Sequence, residues 1–155
     1  MPKQQLSNSN SRLLLSEILR KVSNAKTKDE KVKLLRDNNS AALRQLLIIN
    51  FDDSIVSMLP EGDVPYTPND APAGTDHSRL ESEYRGVYRF FKGGDNKLKP
   101  SKRETMFIQM LEGLAAQEAE LLCLVKDGKL STKYKRITKA VVSQAFPTIE
   151  WGGRS

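Results

Sequence analysis

The sequence predicts an all-α fold: six or seven short helices in two halves around one core, with a proline-rich ordered strap between the halves. Three observations carry that expectation. Apolar residues recur at helical spacing on both sides of the middle segment. Capping signals precede several of these runs, and glycines follow them. No stretch alternates well enough for a sheet, which leaves room only for a short strand pair at 54–59 or 148–151. The domain reading that follows is a flexible amino-terminus at 1–10 and a single helical domain at 11–150. Within that domain, 11–51 holds the amino-terminal helices, 52–76 the strap and 77–147 the carboxy-terminal helices.

From Ser11 onward, Leu14, Leu15, Ile18, Leu19 and Val22 follow a helical period. Thr27 and Glu30 in "TKDE" have the spacing of a capping box, in which each side chain satisfies the other residue's amide. A short helix through Val32 and Leu35 follows, and Asn39 or Ser40 caps the next, with Leu43, Leu46, Leu47 and Phe51. The segment "MLPEGDVPYTPNDAPAGTD" then brings four prolines and two glycines. Proline removes amide donors and fixes φ, so no regular helix or central strand survives there. Val64 and Tyr66 give the segment something to pack with, hence an ordered strap. Ser78 and Glu81 repeat the capping-box spacing ahead of Leu80, Tyr84, Val87, Tyr88 and Phe91, and "KGGDNK" ends that helix.

Ser101 and Glu104 in "SKRE" have the same spacing again, ahead of a stripe of Met106, Phe107, Met110, Leu111 and Leu114 closed by Gly113. In "AQEAELLCLV", Glu118 and Glu120 fall near a helix amino-terminus, where carboxylates are favoured, and Gly128 stops the helix. A last helix through Ile137, Val141, Val142 and Ala145 halts at Phe146-Pro147.

Composition narrows the class. The 155 residues suffice for one domain with a real core, and 38% apolar with 28% charged residues fits a globular protein. No apolar run approaches the ~18 residues that span a bilayer, so no membrane partner is expected. The opening "MPKQQLSNSNS" lacks the apolar centre of a secretion signal, and the single cysteine, Cys123, excludes an internal disulfide. A cytosolic setting is the natural expectation. The net charge of +6 is uneven: 1–50 carry ten basic residues against four acidic, 51–76 none against six, and 77–104 eight against four. Two basic arms flanking an acidic middle favour anionic partners without requiring them.

Few residues suggest chemistry. His77 is the sole histidine, beside Asp76, and reads either as half of a nucleophile–base pair or as a polar residue at a helix start. One histidine and one cysteine cannot build a typical zinc site, and "KGGDNK" lacks the spacing of a phosphate loop. Neither a metal nor a cofactor is expected. Glu104, Glu112, Glu118 and Glu120 are better explained by helix starts than by a carboxylate cluster, and Cys123 by a core position. The expectation is therefore a protein without catalysis. Two basic clusters remain as candidate nucleic-acid contacts: Lys97, Lys99, Lys102 and Arg103 around a helix start, and Lys129, Lys133, Lys135, Arg136 and Lys139 with Tyr134 to stack on a base. The alternative is a solvated face with an inward-packed aromatic. Val64 and Tyr66 on the strap are the candidate protein-binding residues.

The segments "KRETMFIQMLEGL…EAELLCLVKDGKL…YKRITKAVVSQAFP" and "LPEGDVPYTPNDAP" resemble those of small uncharacterised proteins of T4-like tailed phages, including cyanophages, over about residues 20–147. Ala115 and Ala116 depart from the polar or proline-containing turn expected between two of these helices. The resemblance implies action in the cytoplasm of an infected bacterial host and supplies no activity or catalytic residue. The expectation drawn from it is an accessory protein that binds a host or phage protein in phage DNA replication, recombination or transcription. A nucleic-acid binder using 97–103 and 129–139, and a virion structural component, stand as alternatives.

Overall fold

The structure is a computed structural model that describes residues 13–69 and 77–154. The expected flexible terminus at 1–10 lies outside the described residues. Among those described there are seven α-helices, two 3-10 helices and no strand beyond isolated bridges, so the fold is all-α. In the first half, α1 spans Leu15–Asn24, α2 Lys28–Asp37 and α3 Ala41–Phe51. In the second, α4 (Leu80–Glu83) runs into a 3-10 helix at Tyr84–Phe90; α5 (Pro100–Gly113), α6 (Ala116–Lys126) and α7 (Lys139–Ala145) follow. The halves interlock: α6 packs on α3 and α1, and α7 packs on α2. Their buried faces join in one core, including Leu19, Leu35, Leu43, Leu47, Leu111 and Leu122.

Local capping decides the first helices. Thr27 Oγ1 accepts from the Glu30 amide at 3.1 Å, and Glu30 Oε1 accepts from the Thr27 amide at 3.1 Å, completing the box before α2. Ser40 Oγ accepts from the Leu43 amide at 3.0 Å and starts α3. The two later boxes do not form. Pro100 takes the first position of α5, where its fixed φ suits a helix and its missing amide is not needed, so Lys99 precedes the helix and Ser101 lies inside it. Arg79, not Ser78, precedes α4, and the Ser78 amide is drawn to Gly113 O at 2.7 Å.

The predicted continuous helix from Ser78 also gives way. After one turn it tightens to a 3-10 helix, in which residues three apart align. Tyr84, Val87 and Phe90 therefore face inward and Tyr88 is turned out at 50% exposure. The edge of Phe107 meets Phe90, with ring centroids 5.0 Å apart. The α5 stripe is core, with Phe107 and Leu111 buried and Met106 and Met110 packed against them.

Long-range charges close what local caps leave open. Glu118, 1% exposed, accepts from the Leu15 amide at 2.8 Å and the Leu80 amide at 2.9 Å, the first amides of α1 and α4. At the other end of α1, buried Lys31 Nζ donates to the carbonyls of Val22 (3.0 Å), Ser23 (3.1 Å) and Ala25 (2.6 Å). Arg36 likewise caps α7 through Ala145 O at 3.1 Å and Gln144 O at 2.8 Å. Replacing Glu118 by Ala strips the partner from two buried amides, each worth about 1–3 kcal/mol when left unmet. Thermal unfolding should show Glu118→Ala to be much less stable than wild type. Glu118→Gln, which keeps one acceptor, should fall between them.

Asp52 performs a similar service after α3. It is 3% exposed and accepts from the Ser54 hydroxyl (2.6 Å), the Ser54 amide (2.9 Å), the Gly152 amide (2.9 Å) and Arg154 Nη1 (2.5 Å). Burial pushes its carboxyl upward, but these bonds together outweigh burial and hold it well below the ordinary carboxylate range. A depressed carboxyl stabilises the fold fully above its unfolded value and loses that stabilisation as pH falls toward the folded value. Stability measured by chemical denaturation should therefore drop as pH falls below the ordinary 3.8. The drop should be smaller in Asp52→Asn, which should also start from a lower plateau at neutral pH.

Candidate interaction surface

The strap is tied down by backbone and side-chain bonds over its described part, 52–69. Ser57 pairs antiparallel with Phe91, with Met58 N donating to Phe90 O at 2.8 Å and Lys92 N to Val56 O at 2.8 Å. The short strand pairing expected near 54–59 thus exists as one bridge, made with the end of the 3-10 helix. Next, Lys126 reaches up from the last residue of α6. Its side chain is fully buried, and Nζ donates to Pro60 O at 2.9 Å and to Asp127 Oδ1 at 2.6 Å. The second Asp127 oxygen accepts from the Gly62 amide at 3.0 Å. Glu112 then accepts from the Thr67 amide at 2.8 Å, and Asn69 bridges in parallel to Ala115.

Val64 and Tyr66 are half-buried and packed against the core. Val64 lines a small hollow of about 80 Å³ with Pro60, Pro65, Phe107 and Ile108. Both residues contribute to holding the strap. The apolar side chains offered outward are others: Val56 at 45%, Met58 at 46% and Tyr88 at 50% are the large exposed hydrophobics among the described residues. Val56 and Met58 flank Ser57 on the bridged ribbon, and Tyr88 lies on the 3-10 helix that receives it. Grooves run on either side. One, of about 410 Å³, has Asp52, Asp53, Glu61 and Asp127 on its wall together with Lys126. The other, of about 260 Å³, carries Tyr88 and Phe91 with Lys92 and Arg154.

The basic clusters are rearranged by folding. Lys97, Lys99 and Lys102 are exposed around the start of α5. Arg103 is not available with them: it is 4% exposed, and its guanidinium donates to the carbonyls of Arg89 (2.9 Å), Asp95 (2.9 Å) and Leu98 (3.1 Å), knitting the glycine turn to α5. Tyr134 is 2% exposed beneath the Arg20 guanidinium, 4.6 Å from its ring centre, so its face cannot stack on a base. Lys129 pairs with Glu61 at 3.4 Å, Lys133 with Glu120, and Lys139 lies over the Trp151 ring at 4.9 Å. Lys135 and Arg136 are exposed with no acidic partner within 4 Å among the described residues.

Other reactive groups are poorly placed for chemistry. Both ring nitrogens of His77 are buried without a hydrogen-bond partner among the described residues. Burial, ahead of nearby charges, pushes the Cys123 thiol up to about 11, the reverse of what a reactive thiolate needs. Among the described residues, no three His, Cys, Asp or Glu side chains converge as a metal site. No helix among them is long and apolar enough to cross a membrane.

The strap's fastening makes its own prediction. Lys126→Met should retain the aliphatic stem but release Pro60 and leave Asp127 Oδ1 without its donor. Limited proteolysis should then cut the variant within 58–67 much faster than the wild type, whose strap should resist despite its loop-like composition.

No curated protein and no solved structure matches the chain. A family model does match, across residues 18–132, which takes in most of α1, all of α2 to α6 and the whole strap, and the chain belongs to that family of unknown function, DUF6433.

Proposed function

We propose that the chain is a non-enzymatic phage accessory protein that binds a host or phage protein in the cytoplasm of the infected cell. Phage DNA replication, recombination or transcription is the setting the phage resemblance favours. The observation that carries the binding reading is the ribbon at 56–58: Val56 and Met58, with Tyr88 beside them, are held out to solvent on a backbone bonded from beneath. Exposed apolar side chains rimmed by polar residues mark interaction surfaces. Here the rim carries exposed Asp53 and Glu61 along one groove and exposed Lys92 along the other, which gives a partner an orientation. Aromatic and methionine side chains are also the types enriched at interface centres.

The test is a triple substitution, Val56→Ser, Met58→Ser and Tyr88→Ser. Because these side chains are about half exposed, each change should alter stability by about 0.5 kcal/mol or less. Tagged wild-type protein, drawn from nuclease-treated extract of infected cells, should retain a defined partner, and the variant should lose it at an unchanged melting temperature. Retention of the same partner by the folded variant would rule the ribbon out as the binding surface.

A further inference from the structure

We infer that the loop Lys133–Ile137 and the carboxy-terminal half of α1 together form a site for the phosphate backbone of nucleic acid, read without base stacking. The site is remote in sequence from the strap ribbon and stands on separate observations.

The first is how the loop is held. Its alternate carbonyls all turn inward: Arg20 Nη1 donates to Lys133 O at 3.3 Å, Ser23 Oγ to Lys135 O at 2.9 Å and Ser131 Oγ to Ile137 O at 2.6 Å. Tyr134 and Ile137 are buried between these points. The side chains of Lys133, Lys135 and Arg136 are thereby left exposed on a fixed backbone, beside Arg20 and Lys21 of α1.

The second is strain. Arg136 has φ of 67°, the left-handed region, and is the only non-glycine residue there among those described. A glycine would adopt that conformation freely, whereas a long side chain does so at a cost. Strain of this kind clusters at functional positions.

The third is an excess of positive charge. The negative end of α1 would attract cations, but Lys31 already occupies the carbonyls of Val22, Ser23 and Ala25. Arg136 adds a second cation close enough to Lys31 that, after burial, it is the next influence lowering the Lys31 ammonium. The acidic groups facing this region are Glu120, which pairs with Lys133, and Glu17 and Glu30 on the walls of two flanking grooves. Lys21 lines both grooves, joined by Lys33 on one and by Arg20 and Lys133 on the other. An acidic protein would need an apolar anchor at the centre of its interface. Both apolar residues of the loop are buried, at 2% and 0% exposure, so a chain of phosphates is the better fit.

The test uses fluorescence anisotropy of the full chain with labelled mixed-sequence duplex DNA and single-stranded RNA, titrated with salt, and with polyglutamate as a second ligand. Affinity for nucleic acid should fall steeply with salt and be nearly independent of base sequence. Lys135→Glu with Arg136→Glu should weaken it at least about tenfold and reduce the slope of log affinity against log salt by about two. Arg136→Gly should lower affinity while leaving or raising the melting temperature, since it removes one cation and relieves the positive φ; this variant also guards against a misfolded double mutant. Absence of nucleic-acid binding at low salt, binding of polyglutamate alone, or full affinity in folded Arg136→Gly and in the double variant would overturn the inference.

Discussion

The buried carboxylate of Glu118 is the constraint on which the arrangement of helices depends. It sits in the first turn of α6 and accepts the first amides of α1 and α4, so three helix starts meet at one side chain. Every helix leaves amides unmet at its start, and a short helix has few internal bonds to offset them. One anion at the junction satisfies two of those amides and faces the positive ends of all three dipoles. Burial still raises the Glu118 carboxyl above its ordinary value, despite the two amides and nearby Arg79. Removing it from water is therefore a net burden on the charged form, borne at the point where it satisfies the first amides of two helices.

The opposite ends follow the same logic with the opposite sign. Lys31 closes α1, Arg36 closes α7, and Lys126 extends from the end of α6 to the strap. Arg103 does this for the loop before α5. A fold assembled from helices of 14 residues or fewer is thus held by apolar packing and, at its joints, by single charged side chains reaching distant backbone. Buried charges of this kind are costly alone and stabilising only when fully bonded. That makes the joints intolerant of substitution while helix faces tolerate apolar exchange.

How much of this was legible depended on whether the decisive partner was local. The Thr27–Glu30 box and the Ser40 cap involve residues three apart, and the sequence pattern located them. The same pattern misled at Ser101 and Glu104, because Pro100 starts that helix earlier, and at Ser78, whose amide is drawn to Gly113. Glu118 and Arg103 looked like a dipole residue and a surface cation, since nothing near them in sequence reveals partners in distant elements. For Tyr134 its basic neighbours left base stacking and inward packing both open, and the ring is packed inward with Arg20 over it. On the strap, residue type pointed to Val64 and Tyr66. Bridging to Phe91 decided instead that Val56 and Met58 face outward, and the apolar run "IVSML" carried only the hint of a strand.

The two proposed surfaces share one construction principle, and it bears on how each would bind. In the ribbon, Met58 N is bonded to the last residue of the 3-10 helix and Val56 O to Lys92 just beyond it, and in the basic loop the carbonyls of Lys133, Lys135 and Ile137 are bonded inward. Several of the backbone's polar groups are thus bonded before any partner arrives, which fixes the side chains left to engage. Fixing a flexible segment on binding costs ordering entropy that a prearranged one avoids. A strap rich in proline contributes further, because its unfolded chain has fewer states to lose. Irregular segments, which in a small helical domain would ordinarily be its mobile parts, are here the ones bonded from several directions. Binding at either surface would then spend little of its energy on ordering the chain beneath.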